Sequence, residues 1–217
     1  LRKEFDQALR AFYQSYSELK TDEERKTLWA DPVRNPKLAF APRFRAFAER
    51  AGKHPAAAAA WSWLMQKTED PQEQAQIVAR MLAEFLNAPA IADFAADLPM
   101  AEWTLGRPKT VEALRTIRAK SQDSGGRLAA ALSLGRLLTA GSHETEKTEG
   151  HTLLEEVVRT APDSPDAQQA THLLFELDHL QIGMIVPEIA GVDSAGQAFH
   201  LSDYRGKVVV LDFWGFW

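Results

Sequence analysis

Few residues of this chain have the type and spacing that chemistry needs, and the clearest candidate is an acid. Asp212 stands in "KVVVLDFWGFW", Lys207 to Trp217, between Leu211 and Phe213. Apolar neighbours on both sides would take its carboxylate out of water and raise its pKa. The plainer alternative is an aspartate that binds backbone near a strand end. Histidines offer less. His172 and His179 are two helical turns apart, too far to share a metal without further ligands. His143, His151 and His200 have no ligand spacing and read as surface residues. Glu144, Glu146 and Glu149 read as a solvated polar loop rather than an acid pair. Gly125–Gly126 reads as a helix break and not a phosphate loop, because no strand precedes it and no Gly-Lys-Ser/Thr follows. No Ser-His-Asp order stands out.

Cysteine is absent, which excludes disulfides, thiolate metal sites and a cysteine nucleophile within these residues. The 217 residues suffice for one large domain or two small ones with an ample core. Apolar residues make up 45% and charged residues 25%, an ordinary balance for a globular protein. A formal charge of −5 with scattered basic residues argues against nucleic acid as a partner. No apolar run approaches the length of a membrane span. The first residue is Leu1 in charged "LRKEF", and the last segment is the most apolar one. Both ends are therefore expected to be cuts in a longer polypeptide, with any signal peptide or anchor outside these residues.

The elements that must position such residues come in two kinds. From Leu1 to about Leu180 the pattern is helical. Phe5, Leu9, Phe12, Tyr13 and Tyr16 share one face, and Phe40, Phe44 and Phe47 repeat the spacing. "EDPQEQ" is a start signal: Asp70 caps, Pro71 takes the first helical position, and Glu73 is expected to complete a capping box. The helix it opens carries Ile77, Val78, Met81, Leu82, Phe85 and Leu86. Pro108 opens another with Val111, Leu114 and Ile117 inward. Leu128, Leu132 and Leu138 mark the next, then Leu153, Leu154, Val157 and Val158. Ser164 and Pro165 start a helix that buries Ala170, Leu173, Leu174 and Leu177. Short polar links between them favour antiparallel hairpins. "PAAAAAW", Pro55 to Trp61, suits a close-packed helix, with Trp61 and Trp63 as core and rim residues. Gly135 to Pro162 loosely resembles a tetratricopeptide unit, without a second copy upstream. An irregular helical bundle is the alternative.

At Gly183 the pattern changes to short apolar runs broken by Gly and Asp, which is strand punctuation. "VDSAGQAF" predicts a hairpin: a strand ending near Val192, a turn from Asp193 to Gly196, and a return through Phe199. Val208 to Phe213, apolar on both faces, predicts a strand inside a helix-covered sheet. The fold expected is mainly α, a multi-helix array over 1–180, followed over 183–217 by the first strands of an α/β domain.

Those last residues resemble the opening of the TlpA-like redoxins of the thioredoxin-like superfamily. The resemblance rests on Gly183 and Pro187 before the first strand, on Asp193 and Gly196 in the hairpin, on "LSDYRGK" from Leu201 to Lys207, and on "DFW-x-x-W" from Asp212 to Trp217. It does not extend to the helical part. In that family the residue after the last tryptophan is the first cysteine of Cys-x-x-Cys, so the resemblance implies a chain cut just before the active site and inactive by itself. The parent would be a thiol–disulfide oxidoreductase. Its attacking group is a thiolate at a helix N-terminus, where the dipole favours the anion. Asp212 matches the family's acid beneath the cysteine pair, which shuttles a proton to or from the second thiol. Trp214 and Trp217 flank the active site, Trp217 shielding the cysteines and shaping the docking surface; simple packing is the alternative.

The resemblance calls for no cofactor and no metal. The partners it implies are protein dithiols or disulfides and an upstream redox protein, in an extracytoplasmic setting, periplasmic or membrane-anchored. The helical array would bind a protein of its own. Two other readings stay open: an interaction module with a degenerate redoxin remnant, and a peroxiredoxin-type peroxidase. The ending "FW-x-x-W" argues against the peroxidase, whose cysteine lies further on in a Thr-x-x-Cys setting.

Overall fold

Several helices begin where the sequence offers a capping side chain. α1 (Arg2–Glu18) is followed by α2 (Asp22–Ala30), which opens on a complete capping box between Thr21 and Glu24. Three successive helices then start on a capping residue followed by proline: α3 (Pro36–Ala51), α4 (Pro55–Met65) and α5 (Pro71–Glu84). Asn35, His54 and Asp70 accept from the backbone N–H groups of Lys37, Ala56 and Gln72, at 3.0, 3.2 and 2.9 Å. Proline suits that first turn because its missing N–H would have no partner there. Asp70 caps as expected, but Glu73 does not close a box with it. The Glu73 carboxylate instead pairs with Arg45 and accepts from the Thr68 hydroxyl at 2.6 Å, a long-range partner winning over a local one.

The computed structural model describes residues 1–215, which form two compact units, Leu1–Thr171 and the residues from His172 on. The first unit continues through α6 (Ala90–Asp97), a 3-10 turn (Leu98–Ala101), α7 (Glu102–Leu105), α8 (Arg107–Lys120), α9 (Ser124–Thr139), α10 (Glu144–Thr160) and the start of α11 (Pro165–His179). Two helices are buried on nearly every side, α4 and α9. α4 packs against α3, α5 and α6, while α9 packs against α6, α8 and α10. α6 therefore joins the two halves of the core through buried Ile91, Phe94 and Ala95. Trp63 stacks on Phe44 with ring centroids 4.0 Å apart and takes the edge of Phe5 at 4.9 Å. Trp61 is buried too, beneath the Arg80 guanidinium at 4.7 Å.

Two polar stretches differ from expectation. Gly125 and Gly126 do not break a helix: they form the first turn of α9, where Gly126 N–H donates to Asp123 at 2.6 Å. A Cβ on Gly126 would lie 2.5 Å from Ile91 Cγ2, so glycine is what lets α9 reach α6. Glu144, Glu146 and Glu149 lie on α10, not in a loop. Arginines of α8 pair with carboxylates along it: Arg107 with Glu146 at 2.9 Å, Arg115 with Glu149 at 2.7 Å, and further along Arg118 with Glu156 at 2.6 Å.

The second unit holds a two-stranded antiparallel sheet, β1 (Ala190–Val192) and β2 (Ala198–His200), with Gly191 opposite Phe199. The hairpin has the expected limits. Asp193 shapes its turn by accepting from the N–H groups of Ala195 and Gln197, at 2.9 and 2.8 Å. Gly196 takes φ +80°, a conformation glycine adopts without strain. A 3-10 turn (Leu201–Tyr204) follows. Val208 to Phe213 does not form the predicted strand. A strand is a hydrogen-bonded ladder, and none pairs with this run among the described residues; Val208 and Val210 are 97% and 88% exposed.

Candidate functional site

The motif-bearing segment is held together by one carboxylate. Glu188 accepts from the backbone N–H of Ser202 at 3.0 Å and of Ile189 at 3.1 Å, and Leu201 N–H donates to the Ile189 carbonyl at 2.8 Å. These bonds fasten the entry to β1 onto the turn that follows β2. The hydrogen bonds from Ser202 come first among the causes that hold the Glu188 carboxyl below the ordinary glutamate range. At the other end of that turn, Asp203 accepts from His200 N–H at 2.9 Å. Phe199 lies over Gly191, where a Cβ would meet the ring at 2.9 Å. "LSDYRGK" is therefore a knot of local hydrogen bonds that starts with Leu201 and closes on Gly206, at φ +84°.

The predicted site residues lie beyond that knot. Asp212 is exposed in the run after Lys207, and Trp214 is 75% exposed. Trp217 lies outside the described residues. The apolar neighbours Leu211 and Phe213 are themselves 46% and 81% exposed, so they do not bury the acid here. Among the described residues, no three His, Asp or Glu side chains converge as a metal site. His172 and His179 do share α11, where the His179 ring lies 4.8 Å from that of Phe175. With no cysteine in the chain, these residues hold no catalytic dithiol. No helix among the described residues is long and apolar enough to cross a membrane.

Comparison with known proteins agrees with the motifs in kind. Over 47 residues the chain is 40% identical to the thiol-disulfide oxidoreductase ResA of Geobacillus kaustophilus (strain HTA426). The similarity is partial. It covers 22% of this chain and 27% of that relative. No family model matches the chain, and no solved structure matches it.

Sequence reasoning missed the Glu188 clamp and a cluster of lysines on the helical unit. Glu188 follows Pro187 in the stretch read as strand entry, and nothing local announces a partner at Ser202. The lysine cluster unites Lys37 and Lys67, whose proximity depends on how α3 and α4 pack.

Proposed function

We propose that this chain is a fragment of a TlpA-like thiol–disulfide oxidoreductase, with a helical domain over 1–180 and the start of a redoxin domain over 183–217. The observation that carries the reading is a series of motifs in one order: Gly183 and Pro187, the Asp193–Gly196 turn, Leu201 to Lys207, and Asp212 to Trp217. The identity with a thiol-disulfide oxidoreductase supports it, and so does a hairpin that turns where the motif has its Asp and Gly.

In the complete protein Asp212 lies beneath the dithiol and moves a proton to or from the second thiol, while Trp214 and Trp217 flank the cysteines. A thiolate attacks one sulfur of the partner's disulfide and expels the other as a thiolate, leaving a mixed disulfide; the second thiol, once deprotonated, attacks the first cysteine's sulfur, closes the oxidoreductase's own disulfide and releases the partner's remaining thiolate. Its partners are protein dithiols or disulfides and an upstream redox protein, in an extracytoplasmic compartment. The helical domain presents Met100 and Trp103, 82% and 98% exposed, and binds a protein.

The test is to read the gene through the codons after Trp217 and to assay the encoded protein for reduction of a model protein disulfide. A Cys-x-x-Cys directly after Trp217 and turnover that vanishes when either cysteine becomes serine are the expected results. Loss of both cysteines from a complete gene overturns the enzyme and leaves the interaction module.

A further inference from the structure

A cavity of about 410 Å3 opens between α3 and the end of α4, with Trp29 on its wall. Its charges are unequal in their pairing. Arg45 and Glu73 both line it, but they answer each other, and Glu73 holds Thr68 as well. Lys37 and Lys67 have no such answer: both are part-buried, and neither forms an ion pair among the described residues. Each ammonium instead leans on an indole, Lys37 at 4.9 Å from the Trp29 centroid and Lys67 at 6.0 Å from that of Trp63. Lys67 also donates to Gln66 at 3.4 Å, a long contact with a neutral amide.

The surroundings make Lys67 uneasy as a cation. Burial first, then the charges of Lys37 and Arg2, make it give up its proton more readily than an ordinary lysine, and Asp97 offsets only part of this. Asp97 is itself drawn toward its neutral form by burial and is hydrogen-bonded to Gln66. Glu69, the remaining carboxylate on the wall, is exposed. Two ammonium groups drawn partly from water and toward each other raise the energy of the empty cavity, and an anion lowers it. Lysine is a compact three-donor charge that accepts an oxyanion from many directions.

We propose that this cavity binds a compact oxyanion, phosphate or carboxylate, between Lys37 and Lys67. Inorganic phosphate and succinate, titrated separately by calorimetry at constant ionic strength in chloride, show which of the two it prefers. At least one is expected to bind saturably with one site per chain and to raise the melting midpoint above the chloride control. Lys37→Gln and Lys67→Gln should each weaken that binding about tenfold, the worth of one charge-assisted hydrogen bond. Lys109→Gln, on the exposed face of α8 and off the cavity wall, should not. Without anion the two cavity variants should melt no lower than the parent, because each removes a repulsion. Absence of saturable binding by both anions overturns the proposal, and so does binding of unchanged affinity in either cavity variant.

Discussion

Glu146 accepts from the Arg107 guanidinium at 2.9 Å, and that bond is the main cause holding its carboxyl below the ordinary range. A lowered folded-state pKa stabilises above the unfolded value and loses that contribution as pH falls through the folded one. Glu146→Gln should therefore lower the urea midpoint at neutral pH, with the gap closing in acid. Asp97 is the opposite case. Burial raises its pKa, ahead of the Gln66 hydrogen bond that lowers it. Stability is then lost as pH rises from the ordinary aspartate range through the raised value. Asp97→Asn keeps the acceptor for Gln66 and removes the charge, so it should raise the midpoint at neutral pH and match the parent in acid. For Asp212 the complete oxidoreductase is the material. Asp212→Asn should cut disulfide reduction near neutral pH on the order of a hundredfold, the usual worth of positioned acid–base help. The deficit should shrink at high pH, where the thiol ionises unaided. A pH–rate profile of unchanged shape would remove Asp212 from the chemistry.

Between elements, α9 and α10 cross in close contact on the helical unit. Gly135 and Gly150 face each other there. A Cβ on Gly150 would lie 2.8 Å from the Gly135 carbonyl oxygen and from Thr139 backbone N, neither of which can rotate away. Gly150→Ala should therefore destabilise by about 1–3 kcal/mol, as overpacking does, despite alanine's better helix propensity. Gly135→Ala should cost less, since its nearest obstacle is the Leu154 side chain, although the Gly150 carbonyl at 3.1 Å still crowds it. Urea unfolding of both variants checks the order. The run from Val208 to Phe213 is the other element with a consequence, because its valines and its phenylalanine are open to solvent. Unpaired apolar backbone of this kind recruits another copy. The 217-residue chain is expected to self-associate in light scattering, and a variant ending at Gln181 to be monomeric. A monomeric 217-residue chain at high concentration would refute this.

At the scale of the molecule, the main hydrophobic core runs from Phe5 to Leu153, entirely within the unit that ends at Thr171. The variant ending at Gln181 should accordingly keep the helical circular dichroism and the melting midpoint of the whole chain. A fall of several degrees would mean that the later residues support the core.

What could be read without coordinates was what neighbours in sequence decide. The start of α5, Asp70 followed by Pro71, depends on a hydrogen bond spanning two residues, and the hairpin turn on bonds that Asp193 accepts from its near neighbours. The redoxin-like motifs belong to the same class, a local order of residue types. Tertiary structure decided the rest. Glu73 left its expected box for Arg45, 28 residues away, and the acidic start of α10 is helix whose carboxylates pair with Arg107 and Arg115. The Lys37–Lys67 cavity exists only because α3 and α4 pack side by side. Val208 to Phe213 has the composition of a buried strand, yet a strand requires partner backbone. A side chain's burial, charge state and pairing depend on what arrives from elsewhere in the chain, and local sequence carries no record of that.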